Sequence, residues 1–228
     1  MTKVIAINGS PRMDKGNTSL ILTPFLEGLR EAGADVELFY TKKLKIRPCQ
    51  GNWKCVFETP GECYQKDDMQ MLHPKLLKAD IWIFATPVYV SGMTGPLKNL
   101  IDRILIPLGL AETELVNGHS RHKMREGVKR GKIVLVSNSG YWEQDNFDLL
   151  IDQMKAVADH AEWEYAGSLI RPHGEAMKSM MKIPGVIDDI FEAAKEAGRQ
   201  LVNSGKILSK TLDIVGRELL PIDQYVGK

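Results

Sequence analysis

The stretch from residue 4 to residue 19 is the feature that most constrains the fold of this chain. The apolar run Val4–Ile7 predicts a buried strand, and the glycines, hydroxyls and amides after it predict a turn that opens a helix. The first backbone N–H groups of a helix have no intrahelical partner and carry the positive end of the helix dipole, so this turn is suited to bind a phosphate. The residues assigned to the phosphate are Ser10, Arg12, Asn17, Thr18 and Ser19.

This turn differs from the two familiar nucleotide-binding loops. It lacks the Gly-Lys-Ser/Thr ending of a P-loop and the Gly-x-Gly-x-x-Gly of a dinucleotide fold, so a ligand with a single phosphate is favoured. A turn that is merely capped by Asn17 or Thr18 is the alternative. It explains the amide and the hydroxyls, but not the glycines and Arg12 together.

Composition limits the function classes. A chain of 228 residues with 43% hydrophobic residues can bury a full core, which predicts one large α/β domain. Its 30 basic and 29 acidic side chains give a net charge of +1, so no global field attracts nucleic acid or an anionic membrane. No apolar run approaches the roughly 20 residues that span a bilayer, and the chain opens on a core strand instead of a signal peptide. We therefore expect a cytoplasmic protein that binds neither nucleic acid nor membrane.

Strand and helix patterns alternate along the rest of the chain. Further strands are predicted over residues 36–40, 81–85, 133–136 and 163–170. The apolar positions between Leu22 and Leu29 predict the first helix, in which Pro24 predicts a kink or a late start and which Gly33 would end. Later helices are predicted after a cap at Asp67-Asp68, and over residues 96–104, 147–161 and 186–202.

Five βα units predict a doubly wound, five-stranded parallel sheet of order 2-1-3-4-5 with helices on both faces. Residues 1–204 are assigned to this domain. Residues 205–228 are assigned to a C-terminal tail that packs on the domain or on a neighbouring subunit.

Two further loops are expected beside the phosphate turn. In such a sheet, ligands bind at the carboxyl ends of the first and third strands, where the strand order reverses. The loops after the third and fourth strands offer flat side chains for a planar ring, and glycines that let the backbone approach it closely. Pro87 and Tyr89 are the flat side chains, and Gly92 is one of the glycines. One phosphate turn and two ring loops together predict flavin mononucleotide (FMN). Taken alone, the loop after the third strand also fits an ordinary βα connection.

Several motifs occur in the order found in a known group of proteins. They are Gly9–Arg12, Gly16–Thr18, Asp67–Met69, Thr86–Tyr89 with Gly92, and Pro96–Lys98. Over residues 3–170 the chain resembles the NADPH-dependent FMN reductase and iron–sulfur flavoprotein group of the flavodoxin-like superfamily. The resemblance implies a flavodoxin-like fold, non-covalent FMN, and homodimers or homotetramers in which a neighbouring subunit helps to cover the flavin. It also implies the phosphate roles given above. For the ring of the flavin, it implies that one side is lined by Pro87, Val88, Tyr89 and Gly92, and that the other side is closed by Ser139 and Gly140.

The three cysteines all lie between positions 49 and 63. Their odd number does not fit a disulfide framework. Cys49, Cys55 and Cys63 resemble the cluster-binding segment of iron–sulfur flavoproteins, which needs four thiolates with two residues between the first and the second. In this chain Asn52 stands at that second position. Three thiolates could hold a cluster with an unusual ligand, or zinc with His73, but the missing cysteine favours a surface loop with free thiols.

Residues 117–132 contain six Lys or Arg residues and one Glu. We interpret this stretch as a solvated or subunit-contact loop. The alternative is that Arg121 and Lys123 attract the 2′-phosphate of NADPH. His173 could reach the rim of the ligand site, but a lone histidine more often serves structure.

Together these features predict a cytoplasmic FMN-dependent oxidoreductase. The flavin would take electrons from NAD(P)H and pass them to a quinone, a free flavin or another small acceptor, so no catalytic side chain is expected. Two alternatives remain. One is an iron–sulfur flavoprotein-like carrier that exchanges single electrons with a protein such as a ferredoxin. The other is a non-enzymatic regulatory or assembly module.

Overall fold

The computed structural model describes residues 1–116 and 118–226, so residue 117 of the basic stretch and the last two residues of the predicted tail lie outside the described residues. Five parallel strands form one sheet in the order β2-β1-β3-β6-β7, which confirms the predicted doubly wound fold. The strands of this sheet are β1 (Lys3–Asn8), β2 (Asp35–Tyr40), β3 (Ile81–Pro87), β6 (Lys132–Asn138) and β7 (Glu164–Arg171).

Helices cover both faces of the sheet. The helices α1, α7 and α8 bury their apolar side chains against one face, and α3, α4 and α5 bury theirs against the other. Strands such as β3 are therefore buried on both sides, which explains their continuous apolar sequence. The helices are α1 (Asn17–Glu31), α2 (Lys54–Phe57), α3 (Met69–Lys78), α4 (Gly95–Ile104), α5 (Asp148–Ala161), α6 (Met177–Met180), α7 (Asp188–Ser204), α8 (Ser209–Gly216) and α9 (Ile222–Tyr225).

Helix α1 carries the phosphate turn at its N-terminus. It begins at Asn17 and continues through Pro24, so the late start expected from this proline does not occur. The helix ends at Glu31, and Gly33 follows with a left-handed φ of +88°, as the predicted stop requires.

Two glycines bring α1 and α7 into backbone contact. A Cβ at Gly28 would lie 1.8 Å from the carbonyl oxygen of Lys195, and one at Gly198 would lie 2.3 Å from that of Phe25. Only glycine fits at these two positions. The close crossing fixes α1, and with it the turn that precedes the helix.

Two features lie outside the five predicted βα units. An antiparallel hairpin of β4 (Gly109–Val116) and β5 (His119–Met124) stands between α4 and β6. The tail forms α8 and α9, and Val215 of α8 is fully buried in the core of the domain. No helix within residues 1–116 and 118–226 is both long and apolar enough to span a membrane.

Candidate functional site

The turn after β1 folds tightly back on itself. The N–H of Ser10 donates to Oδ1 of Asn8 at 2.8 Å, and the N–H of Met13 donates to the carbonyl of Ser10 at 3.0 Å. A Cβ at Gly16 would lie only 2.6 Å from Oγ of Ser10. The turn then enters α1 without a side-chain cap. The N–H groups of Asn17 and Thr18 have no partner within the described chain, whereas the N–H of Ser19 donates to the carbonyl of Gly16 at 3.0 Å.

Two of the predicted phosphate residues have unused polar groups. Asn17 is buried, yet its Oδ1 has no hydrogen-bond partner in the described chain. Ser10 is also buried, and its hydroxyl accepts from the N–H of Arg12 at 3.3 Å but donates to no described atom. Buried polar groups are normally paired, so these groups fit a polar ligand at the start of α1. A phosphate accepts hydrogen bonds, so Asn17 can bind it only through the N–H groups of its backbone and of Nδ2, while Oδ1 needs a donor. The hydroxyl of Ser10, these N–H groups and a turn without a Cβ at position 16 fit the phosphate of FMN.

The hydroxyls of Thr18 and Ser19 are used inside the protein. Thr18 donates to Oδ1 of Asn138 at 2.6 Å, and Ser19 donates to the carbonyl of Met13 at 2.7 Å. Each hydroxyl has one proton, so these two side chains fix the turn, and the N–H of Thr18 is the group left open toward a ligand. Arg12 lies exposed at the rim, with its guanidinium 3.9 Å from Glu175.

The loop after β3 forms a tight turn at its tip. Reciprocal hydrogen bonds of 2.8 and 3.1 Å between the backbones of Tyr89 and Gly92 close it. Val90 and Ser91 between them have left-handed φ values of +45° and +62°, a conformation that is costly for a β-branched residue. Val90 is fully exposed and Tyr89 is half exposed, while Pro87 and Val88 are partly buried beneath them. The loop therefore presents a flat, apolar surface on a constrained backbone.

Hydrogen bonds join the three predicted loops at the carboxyl edge of the sheet. Thr94 donates through its hydroxyl to the carbonyl of Gly9 at 2.9 Å, which links the ring loop to the phosphate turn. The N–H of Val88 donates to the carbonyl of Asn138 at 2.8 Å, which links the ring loop to the segment after β6. The structure thus brings all three groups of predicted site residues to one edge, with Ser139 buried and Gly140 exposed.

Sequence reasoning missed the buried amides and the hydroxyl that connect these loops. They belong to three buried residues, Asn8, Thr94 and Asn138. The amide of Asn8 donates to Oγ of Ser19 across the turn, the amide of Asn138 accepts from Thr18, and the hydroxyl of Thr94 donates to the carbonyl of Gly9. The asparagines end the apolar strands β1 and β6, where a buried polar side chain needs a partner. An amide at the end of an apolar strand was the signal that could have found them.

His173 serves structure. Its Nε2 accepts the N–H of Leu219 at 2.8 Å, and Nδ1 lies 3.4 Å from the carbonyl of Trp142. Burial, reinforced by the charge of Arg171, lowers the pKa of His173 to about 4. The imidazole is therefore neutral at pH 7 and holds the chain after β7 in place.

The cysteine segment lacks the fourth thiolate that a cubane cluster ordinarily needs, since Asn52 stands at that position. Burial, followed by the charges of Cys63 and Cys49, raises the pKa of the Cys55 thiol. Within residues 1–116 and 118–226, no group of three or more His, Cys, Asp or Glu side chains is placed to hold a metal ion. His73 is used elsewhere, with its Nε2 2.9 Å from the carbonyl of Arg103. The Oδ1 of Asn52 accepts the N–H of Lys54 at 3.2 Å, at the entry to α2.

The described part of the basic stretch forms strand β5 of the hairpin and the segment that leads to β6. Nε of Arg121 donates to Asp159 of α5 at 2.9 Å, so this guanidinium already has a carboxylate partner. Lys123 is exposed on the same strand. The contact between Arg121 and Asp159 attaches the hairpin to the domain.

Known proteins resemble this chain in sequence and in fold. Residues 2–160 match the family model described as NADPH-dependent FMN reductase. An iron–sulfur flavoprotein of Methanocaldococcus jannaschii is 38% identical over 216 residues, which cover 91% of this chain and 100% of the relative. An iron–sulfur flavoprotein of Archaeoglobus fulgidus is 39% identical over 101 residues, 44% of this chain and 48% of the relative. The chain thus spans about half the length of several of the curated relatives that it matches.

Among solved structures, an NAD(P)H:quinone oxidoreductase from Methanothermobacter marburgensis has the same fold. Its TM-score is 0.61 at 20% identity, over 88% of this chain and 96% of that protein. The family match confirms the resemblance drawn from the motifs to a family of FMN-dependent proteins. The chain belongs to the NADPH-dependent FMN reductase family, and its relatives include iron–sulfur flavoproteins.

Proposed function

We propose that this protein takes electrons from NAD(P)H through FMN bound at the carboxyl edge of the sheet, and passes them to a quinone, a free flavin or another small acceptor. The observation that carries the proposal is the start of α1. There, the N–H groups of Asn17 and Thr18 and the hydroxyl of Ser10 donate to no atom of the described chain, beside a turn in which Gly16 has no room for a Cβ. An anion is the ligand that such a helix start favours.

The residues have separate roles in this proposal. Ser10, Asn17 and the N–H of Thr18 bind the phosphate, Ser19 holds the turn, and the exposed Arg12 adds positive charge at the rim. The ring lies between the loop after β3 and the loop after β6. When bound, FMN supplies the acceptance of hydride from the nicotinamide and the transfer of electrons to the acceptor. The residues assigned to the ring are Pro87, Val88, Tyr89, Gly92, Ser139 and Gly140.

Two observations favour a quinone as the acceptor. The Methanothermobacter protein of the same fold is by its name a quinone oxidoreductase, which favours a quinone among the candidates. The half-exposed Tyr89 offers a flat surface against which such a ring can stack. The nicotinamide preference, the cytoplasmic location, and the absence of nucleic-acid and membrane partners stay predictions.

We also propose that the protein forms a homodimer or homotetramer. Tyr89, Val90 and Tyr141 are 51%, 102% and 71% exposed, and all belong to the loops at the candidate site. Large apolar side chains that are exposed together mark surfaces that bind partners or ligands. A second copy that covers this rim would also shield the flavin from water.

The test begins with anaerobic purification, an absorption spectrum, and assays of flavin and iron content. We expect about one FMN per chain, little iron, and oxidation of NADPH or NADH with menadione as the acceptor. Asn17→Ala should weaken FMN binding by about tenfold, the effect of losing one well-made polar contact. Asn146→Ala, which removes an exposed amide bonded to the carbonyl of Glu143, is the matched control.

Three outcomes would contradict the proposal. A colourless protein that fails to take up added FMN would overturn the cofactor site. FMN binding without oxidation of NAD(P)H would instead favour the regulatory or assembly module. Four irons per chain with a broad visible absorption would favour the iron–sulfur electron carrier.

A further inference from the structure

The C-terminal strap, defined here as residues 217–225, is hydrogen-bonded to the loop after β6. The hydroxyl of Tyr225 donates to the carbonyl of Gly140. Nε1 of Trp142 donates to the carbonyl of Leu220 at 2.8 Å. The strap lies more than 70 residues from this loop in sequence, and neither the sequence motifs nor the resemblance gives it a role.

The strap is fixed at its beginning by a buried arginine. Arg171, the last residue of β7, is fully buried and donates to the carbonyls of Val215, at 2.8 Å, and of Arg217. No carboxylate of the described residues lies within 4 Å of its guanidinium. Arg217 in turn forms two hydrogen bonds, of 2.6 and 2.7 Å, with Asp189 of α7. A buried guanidinium that donates to several carbonyls of one segment holds that backbone in one position.

His173 lies between the strap and the loop. Its ring is stacked on Trp142 with the centroids 6.0 Å apart, and it meets Tyr225 edge-on at 5.7 Å. Its left-handed φ of +40° is uncommon for a residue other than glycine. The N–H of His173 also donates to the carbonyl of Tyr141 at 2.6 Å. The loop is therefore held on several sides at once.

These contacts determine the direction of one open donor. The carbonyl of Ser139 accepts the N–H of Gly174 at 2.8 Å, and in a trans peptide the next N–H points the opposite way. That N–H belongs to Gly140, and it has no partner within the described chain. The following peptide is fixed at both ends, because the carbonyl of Gly140 accepts Tyr225 and the N–H of Tyr141 donates to Oγ of Ser139 at 3.1 Å.

We infer that the strap is part of the FMN site and that Tyr225 is a positioning residue, which holds the N–H of Gly140 toward the flavin ring. This inference rests on the proposed function. A fixed N–H donor interacts more strongly with the ring when the ring is reduced and anionic, so the strap should raise the flavin reduction potential as well as the affinity for FMN.

Tyr225→Phe tests the inference, because it removes one hydroxyl and leaves the ring that packs on His173. Tyr64→Phe is the matched control, since Tyr64 also donates from its hydroxyl to a loop acceptor, Oε1 of Gln50, in the cysteine segment. The dissociation constant of FMN is measured by fluorescence titration of each apoprotein, and the midpoint potential by redox titration of each holoprotein. We expect Tyr225→Phe to weaken FMN binding roughly three- to tenfold, the range that one hydrogen bond provides, and to make the potential more negative.

Removal of residues 221–228 should produce a larger loss of affinity in the same direction. If both variants bind FMN with the wild-type constant and potential, the strap has no role in the site and the inference is wrong. If Tyr225→Phe lowers both the affinity for FMN and the midpoint of thermal unfolding, and leaves the reduction potential unchanged, Tyr225 only stabilises the fold and does not position the N–H of Gly140. If the wild-type protein itself takes up no FMN, the proposed function has failed instead.

Discussion

At the residue scale, His173 couples the stability of the protein to pH. The pKa of His173 is about 4 in the folded protein, whereas an unfolded histidine has a pKa near 6.5. Between these two values the unfolded chain binds a proton that the folded protein does not, so the free energy of unfolding falls as the pH is lowered through this window. The shift corresponds to about 3 kcal/mol over the whole window.

We predict that His173→Asn reduces this loss of stability on acidification from pH 6.5 to pH 4.5. Asparagine tolerates the left-handed backbone at this position and does not titrate there. Urea unfolding at several pH values measures the effect. His73 also has a pKa lowered by burial and keeps its own share of the pH dependence in both proteins. His160→Asn, at an exposed position on α5, should leave the wild-type profile unchanged, and an unchanged profile in His173→Asn would refute the prediction.

At the scale of single elements, the turn before α1 illustrates how a missing side chain shapes a site. Gly16 has ordinary extended backbone angles, φ −81° and ψ 155°, so the need for glycine there is steric. An added Cβ would meet Oγ of Ser10 at 2.6 Å and Cβ of Arg12 at 3.3 Å. Both neighbours belong to the predicted phosphate site.

Gly16→Ala is therefore expected to weaken FMN binding by about tenfold or more, because the turn must open to admit the methyl group. The midpoint of thermal unfolding of the apoprotein is measured beside it, so that a loss confined to FMN binding is distinguished from a general loss of stability. Gly216→Ala adds the same methyl group where its nearest neighbour is 3.5 Å away, and serves as the control. Equal FMN affinities for the two variants would remove the steric argument.

The elements that sequence predicted best are those whose pattern is local. Strands β1, β3 and β6 are buried on both faces and read as short apolar runs, and α4 begins beside Pro96, a favoured first-turn residue. The β4–β5 hairpin was missed because β5 is polar and mostly exposed, so it shows no alternation of apolar and polar residues. The hydrogen bond that attaches the hairpin joins Arg121 to Asp159, which lies 38 positions away in sequence, so no local pattern indicates it.

The same distinction holds within the candidate site. The amide of Asn17 and the hydroxyl of Ser10 were assigned to a phosphate from a contiguous motif, and that assignment stays a prediction; the hydroxyl of Ser10 donates to no described atom. The hydroxyl of Thr18 is bonded to Asn138, 120 residues away, which no local pattern can indicate. The strap on Gly140 depends in the same way on the tertiary fold.

At the scale of the whole molecule, the exposed rim leads to a prediction about assembly. Val90 is fully exposed at the tip of its turn and has a left-handed φ that suits a β-branched residue poorly, so Val90→Glu adds a charge without adding backbone strain. If copies of the chain cover the rim, we expect this charge to shift the protein toward a 25.5 kDa monomer.

Sedimentation velocity at micromolar concentration measures the assembly. Leu149→Glu is the control, since Leu149 is a 68% exposed apolar residue on α5, outside the three loops of the candidate site. A wild-type protein that sediments as a monomer would contradict the assembly proposal. An oligomer that persists in Val90→Glu would move the interface away from the rim.

The backbone contact between α1 and α7 links the binding of the cofactor to helix α7, which contributes none of the predicted site residues. Gly28 lies eleven residues after Asn17, roughly 16 Å along the helix axis from its first turn. No side chain stands between the two backbones there, so none can change rotamer to absorb a displacement of α7. Any such displacement is transmitted to α1 as a whole, and the anion site at its N-terminus moves with it. Remote mutations that shift α7 would therefore be detected first as weaker retention of the flavin.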